Sequence, residues 1–243
     1  MTLKKPSLIP KMSHKYDIFQ FPNIIKNDLR NNKMIRIIIA DDHPLIREGI
    51  KRLVENETNM EVVGEASTSA EVYKLIKNLA VDILLLDISM PDKNGLELLK
   101  DLKYAFPKIH VIILSMYPES QYGIRSLKAG AFGYVTKDSV PTKLIYAINK
   151  IAGGGKYISD ELAEKLADHV IYGSDKSLCE ILSDREFQIM QLIASGKSVS
   201  GIAYELSLSE RTIHTYRKRI FKKMDLNSNA ELIQYAFRNN LVQ

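Results

Sequence analysis

Three apolar runs in this chain each stop at a charge. Ile37-Ile38-Ile39-Ala40 runs into Asp41-Asp42, Ile83-Leu84-Leu85-Leu86 into Asp87, and Tyr134-Val135-Thr136 into Lys137. A short, continuous apolar run bounded by turn signals is the pattern of a strand buried on both faces of a parallel sheet. In open parallel sheets, sites form where the carboxyl ends of the strands converge. Three carboxylates and one amine brought together there would be a costly structural core, because unpaired buried charge is expensive. The same set suits a divalent, oxygen-seeking cation and an incoming phosphoryl group.

Between these runs, strand and helix patterns alternate. Strands are predicted at 35–40, 61–66, 83–87, 110–115 and 133–136, and helices near 44–55, 69–79, 95–105, 122–128 and 140–152. Five such units with right-handed crossovers predict a doubly wound, flavodoxin-like α/β sheet. Gly153-Gly154-Gly155 ends the last of these helices rather than cradling a phosphate, 161–171 reads as a linker helix, and Gly173-Ser174-Asp175-Lys176 as a loop. A second domain is predicted to begin near Leu178.

Charge is unevenly distributed. Residues 1–33 hold seven Lys/Arg against two Asp/Glu, 34–179 hold 18 against 20, and 180–243 hold nine against seven, so the net +5 arises mainly from the amino-terminal segment. That segment has no apolar core of the kind a secretory signal needs, and is expected to be a disordered extension. The single cysteine, Cys179, excludes an intramolecular disulfide and a cysteine-based zinc cluster. No stretch approaches the roughly 18 uninterrupted apolar residues of a membrane span. A cytoplasmic setting is expected.

From Ser183 onward the pattern becomes four short helices. Ser183-Asp184-Arg185-Glu186 and Ser228-Asn229-Ala230-Glu231 both read as capping boxes, and Gly196 stops the first helix. Between them, 198–206 and 209–224 are spaced as a helix-turn-helix, centred on about 199–218. The longer helix carries Arg211, Arg217, Lys218, Arg219, Lys222 and Lys223 with no acid among residues 211–223, while Ile213, Ile220 and Met224 share the opposite stripe.

Residues 34–153 resemble the receiver domain of two-component response regulators, through Asp41-Asp42, Asp87 with Pro91 and Gly95 beyond it, Ser115 after Val111-Ile112-Ile113-Leu114, and Tyr134-Val135-Thr136-Lys137. The resemblance implies that Asp87 accepts a phosphoryl group from a sensor histidine kinase. It also implies that Mg²⁺ is held by Asp42, Asp87 and the main-chain carbonyl of Ser89, with Asp41 acting partly through water, and that Lys137 supplies a second positive charge. A carboxylate is a competent nucleophile for forming an acyl phosphate. Ser115 would then bond the new phosphoryl oxygens and draw its loop inward, and Tyr134 would turn into the vacated space, a two-state switch driven by a local charge.

Residues 182–242, within a domain placed at 178–243, resemble the LuxR-type DNA-binding domain of the NarL/FixJ class, through Leu182-Ser183-Asp184-Arg185-Glu186, Leu192-Ile193-Ala194-Ser195-Gly196, Ile202-Ala203, Leu206, Ser209, Thr212-Ile213 and Lys223-Met224-Asp225-Leu226. Carried over by position, His214, Thr215 and Lys218 would face base edges of double-stranded DNA, and Thr212, Arg217 and Lys222 would touch phosphates. Gly201 and Val199 replace the family's usual Glu and Asn, and a mid-helix Gly costs ~1 kcal/mol against Ala. Residues 154–177 would be the linker.

The expectation is a transcription regulator rather than an enzyme, homodimeric when phosphorylated. A phosphorylation-independent DNA binder with a vestigial receiver is the alternative. A haloacid-dehalogenase-type phosphotransferase would need a second Asp two residues past Asp87, where Ser89 stands.

Overall fold

The computed structural model describes residues 34–171 and 181–242. The extension at 1–33, Cys179, the loop at Gly173–Lys176 and the domain start near Leu178 lie outside the described residues.

The first part is an alternating α/β unit: β1 Ile35–Ala40, α1 Pro44–Glu55, β2 Met60–Ala66, α2 Ser69–Asn78, β3 Ile83–Asp87, α3 Gly95–Ala105, β4 His110–Ser115, α4 Glu119–Ala129, β5 Gly133–Thr136 and α5 Val140–Ala152. All four strand pairings are parallel and the order is β2-β1-β3-β4-β5. This is the doubly wound order whose switch point lies between β1 and β3. Strand side chains alternate between the two faces. Ile38, Leu84, Leu86 and Ile113 pack with Val72, Leu99 and Tyr122, whereas Ile37, Leu85, Ile112 and Leu114 pack with Ile50, Leu144 and Ile148. β3 is buried at all five positions, which is why it reads as an uninterrupted apolar run.

Helix α4 starts at Glu119, three residues before the sequence pattern suggests. Its N-cap is Pro118, which offers no capping side chain to mark the start. Helix α6, Asp160–Ile171, follows the glycine turn.

Four further helices follow: α7 Asp184–Ala194, α8 Val199–Glu205, α9 Glu210–Met224 and α10 Asn229–Arg238. Each opens on a serine, at 183, 198, 209 and 228, whose hydroxyl accepts a backbone N–H of the first turn. The capping box at Ser183 is complete. At Ser228 it is not: the Glu231 carboxylate accepts from the Asn227 N–H at 2.9 Å, one residue further back than a capping box requires. Gly196 ends the turn after α7 with φ +82°, a left-handed conformation that glycine adopts without steric cost. Gly201 is the third residue of α8, its N–H bonded to the Ser198 hydroxyl at 3.1 Å. It therefore sits in the first turn, not in mid-helix, and the cost expected from sequence is reduced.

Burial alone would push the Glu186 carboxyl up, but Lys223 and the Ser183 N–H outweigh it and hold its pKa below the usual value. Stability from such a group is present above its unfolded pKa, ~4.3, and is lost as pH falls through the depressed folded value. The melting-temperature gap between wild type and Glu186→Gln should therefore be full at neutral pH and narrow as pH falls below ~4.3 in calorimetric scans. A gap that persists unchanged at low pH would remove the ionic contribution.

Candidate functional site

The first site is built at the switch point. Asp87 ends β3 and Asp41 follows β1, with side chains 2% and 0% exposed. Lys137, immediately after β5, places its Nζ 2.7 Å from Asp41 Oδ2 and 2.8 Å from Asp87 Oδ2. The Ser89 N–H donates to Asp87 Oδ1 at 3.1 Å. Burial pushes the Asp87 carboxyl up, Lys137 pulls it back and Asp41 adds to the rise. Burial also works against the Lys137 ammonium, but Asp87 and Asp41 outweigh it and hold its pKa above the ordinary value. One lysine thus bridges two carboxylates where water is largely excluded.

His43, which sequence reasoning passed over, joins the cluster. Its N–H donates to Asp41 Oδ1 at 2.9 Å, and its ring Nδ1 lies 2.8 Å from Asp42 Oδ1. One ligand atom each from Asp41, Asp42, His43 and Asp87 all fall within 4.8 Å of one another. Asp41 Oδ2 and Asp42 Oδ1 are shielded from solvent and accept no well-formed hydrogen bond, only close contacts from the Lys137 ammonium and the His43 ring. Under-satisfied carboxylate oxygens converging in this way fit a hard divalent cation. The sequence signal for His43 was its place directly after the Asp pair.

Ser115 ends β4, is fully buried, and its hydroxyl accepts the Tyr117 N–H at 3.1 Å. Tyr134 lies inside the domain. Its ring is only 1% exposed and its hydroxyl donates to the Tyr117 carbonyl at 2.7 Å.

The second site is the surface of α9. Ile213, Ile220 and Met224 are buried beneath it, so His214, Thr215, Lys218 and Lys222 project to solvent, with Thr212 and Arg217 half-buried. Arg217 lies over the Phe221 ring at 5.1 Å. The Thr215 hydroxyl donates back to the Arg211 carbonyl at 2.9 Å. Lys223 pairs with Glu186 at 2.6 Å and serves the bundle instead of the outer face.

The two sites belong to one packed body. Helix α7 is buried along its whole length. Asp184 pairs with Lys100 at 2.5 Å and Arg125 at 3.1 Å, and Phe187 sits edge-on to Tyr122 at 5.2 Å beneath the Arg125 guanidinium. Gln188 reaches Asn94 and Ser89, and Gln191 donates to Gln121 at 2.6 Å.

Comparison with known proteins finds two family models along the chain. A family model described as the response regulator receiver domain matches residues 37–149, and one described as bacterial regulatory proteins of the luxR family matches residues 180–236. The response regulator UvrY of Escherichia coli K12 is 34% identical over 209 residues, covering 86% of this chain and 96% of its own. The response regulator GacA of Pseudomonas aeruginosa is 36% identical over 210 residues, covering 86% and 98%. Among solved structures, Salmonella typhimurium RcsB matches with TM-score 0.62 at 28% identity, covering 85% of this chain and 98% of that one. RcsB bound to promoter rprA with the phosphomimetic BeF3⁻ matches with TM-score 0.57 at 29% identity, covering 84% and 98%.

Proposed function

Because the chain belongs to the two-component response regulators that carry a LuxR-type DNA-binding module, we propose that a sensor histidine kinase phosphorylates it on Asp87 and that it then binds specific duplex DNA through α9 as a dimer. The observation that carries the reading is the Lys137 ammonium held between Asp41 and Asp87 inside a buried carboxylate cluster. An Asp87 carboxylate oxygen forms the new bond to phosphorus, the P–N bond of the kinase phosphohistidine breaks, and the departing imidazole keeps the electron pair and takes a proton. Lys137 offsets the charge that builds as one anion approaches another. Asp41, Asp42 and Asp87 would hold Mg²⁺ together with the Ser89 carbonyl; when bound, it supplies further charge neutralisation. The Ser89 N–H orients Asp87, and Ser115 stands ready at the end of β4 to bond the phosphoryl oxygens. A complete acceptor set argues against a vestigial receiver.

The proposed layout is a receiver at 34–153, a linker at 154–177 and a DNA-binding domain at 178–243. The family models, the glycine turn and the four serine-capped helices support it. No helix among the described residues is long and apolar enough to cross a membrane, which accords with a cytoplasmic regulator.

The two classes of DNA contact separate experimentally. Lys218→Ala should relax discrimination between selected and scrambled duplexes by ~1–3 kcal/mol, whereas Lys222→Ala should weaken both alike and lower the logarithmic salt slope by about one. Competition binding across a salt series measures both. If neither variant changes affinity, discrimination or slope, α9 is not the reading helix.

A further inference from the structure

His43 occupies the N-cap of α1 without capping it. The usual residue there is Ser, Thr, Asp or Asn, whose side-chain oxygen binds an N–H of the first turn. The His43 ring makes no such bond and stands instead against the two carboxylates that follow β1. Its N–H donates to Asp41 Oδ1 at 2.9 Å, and Pro44 follows at once as the first residue of the helix, so the turn that carries the ring is fixed.

The ring is spaced like one ligand among others. Around an octahedral ion with bonds of ~2.1 Å, neighbouring ligand atoms lie ~3.0 Å apart and opposite ones ~4.2 Å. His43 Nδ1 stands 2.8 Å from Asp42 Oδ1 and 3.3 Å from Asp41 Oδ1. One atom each from Asp41, Asp42, His43 and Asp87 fall within 4.8 Å of one another, so a contraction of about half an ångström would close the widest gap. Asp41 is fully buried, and beyond its contact with Lys137 its Oδ2 has no well-formed hydrogen bond. The ring is 60% exposed and stands on the solvent side. Paired with Asp42 and nothing else, a group so exposed would contribute little.

Chemistry separates the imidazole from the oxygens around it. Carboxylate and carbonyl oxygens suit Mg²⁺, whereas an imidazole nitrogen suits Zn²⁺, Ni²⁺ and similar ions. A neutral imidazole adds no charge, so it alters which divalent ion is preferred. We propose that His43 Nδ1 is a ligand in the acidic cluster and makes it a site for a divalent transition ion of the Co²⁺, Ni²⁺ or Zn²⁺ kind, held more tightly than Mg²⁺. The inference rests on the reading of Asp41, Asp42 and Asp87 as a cation site. The ring would carry its proton on Nε2 and leave the Nδ1 lone pair for the metal. His43 then sets which ion supplies charge neutralisation beside Asp87.

The test is direct metal binding by the full chain, with Co²⁺ and Mg²⁺ as probes. Co²⁺ is followed by its visible absorption and by paramagnetic shifts of the His43 ring protons, and Mg²⁺ by calorimetry and by displacement of Co²⁺. His43→Phe keeps a ring at this exposed position but removes both nitrogens. It should weaken Co²⁺ binding at least about tenfold, since even an outer-shell partner of a metal is typically worth that much, and should not weaken Mg²⁺ binding. His43→Asn, an oxygen donor that also suits an N-cap, should keep Mg²⁺ and fail to restore Co²⁺. Asp42→Asn should weaken both ions. Equal weakening of both ions by His43→Phe, or undiminished Co²⁺ binding in that variant, would overturn the proposal. So would Co²⁺ binding that survives intact in Asp42→Asn, because another histidine would then be its ligand. A wild-type chain that binds neither ion would instead count against the acidic cluster as a cation site.

Discussion

Phosphoryl uptake from acetyl phosphate is expected to fall to background in Asp87→Asn while the fold survives. Asn matches Asp in shape and retains one oxygen, which can replace either Oδ1 toward the Ser89 N–H or Oδ2 toward the Lys137 ammonium but not both, and it has no anionic oxygen to form the bond to phosphorus. Burial already disfavours the Asp87 charge, so neutralising it removes a desolvation cost. That relief offsets part of the loss to Lys137, which keeps Asp41 at 2.7 Å. Intact-mass spectrometry with peptide mapping checks this directly. Asp41, equally buried and equally close to Lys137, is the obvious rival acceptor. Undiminished labelling that maps to Asp41 in the variant would move the site.

The second large effect is structural and falls on the same atoms. Gly95 opens α3, and its N–H donates to the Ile88 carbonyl at 2.9 Å. A Cβ at Gly95 would lie 2.1 Å from the Asp87 carbonyl oxygen and 2.8 Å from Ile88 Cα. Both are backbone atoms, so no flexible side chain can yield, and α3 must move away from the end of β3. Overpacking of this kind costs about 1–3 kcal/mol and more where the backbone itself must shift. Gly95→Ala should fall at or beyond the upper end of that range and also slow phosphoryl uptake, since Asp87 itself is displaced. Gly49→Ala in α1 is the matched control. A Cβ there meets nothing within 4 Å, and removing a helical glycine should be neutral or stabilise by up to ~1 kcal/mol. Urea unfolding of both variants against wild type decides the matter. Equal midpoints for Gly95→Ala and wild type would mean that α3 does not abut β3 as closely as described.

What could be read from sequence was whatever depends on local pattern. β3 is buried on both faces, so its run of Ile and Leu is continuous and its end at Asp87 is sharp. The shorter apolar stretches of β1, β4 and β5 likewise end at Asp41, Ser115 and Lys137. The serine caps of α7 and α9 stand three residues before the backbone groups they bind, a spacing visible in one dimension. Hidden from sequence was whatever depends on distant pairing. Asp184, Arg185, Gln188 and Gln191 are polar and would ordinarily face water, yet all are buried. Asp184 meets Lys100 and Arg125, Gln188 meets the α3 cap Asn94, Gln191 meets Gln121 and Arg185 meets the Leu206 carbonyl, and no periodicity announces such pairs. Tyr134 was placed in the right element, but its inward position is set by the Tyr117 carbonyl across the β4–α4 loop. Likewise His43 enters the acidic cluster through the turn after β1 rather than through any spacing rule.

Control of DNA binding at α9 by charge at Asp87 is the proposed link between the two sites. It is tested most directly by titrating a fluorescent duplex, selected from a randomised pool by the wild-type chain with acetyl phosphate and Mg²⁺, against wild type and Asp87→Asn, each with and without acetyl phosphate. Acetyl phosphate should tighten binding by wild type at least about fivefold, the low end of usual coupling between sites, and leave Asp87→Asn unmoved. Equal affinity of phosphorylated and unphosphorylated wild type, or an equal gain in Asp87→Asn, would contradict it.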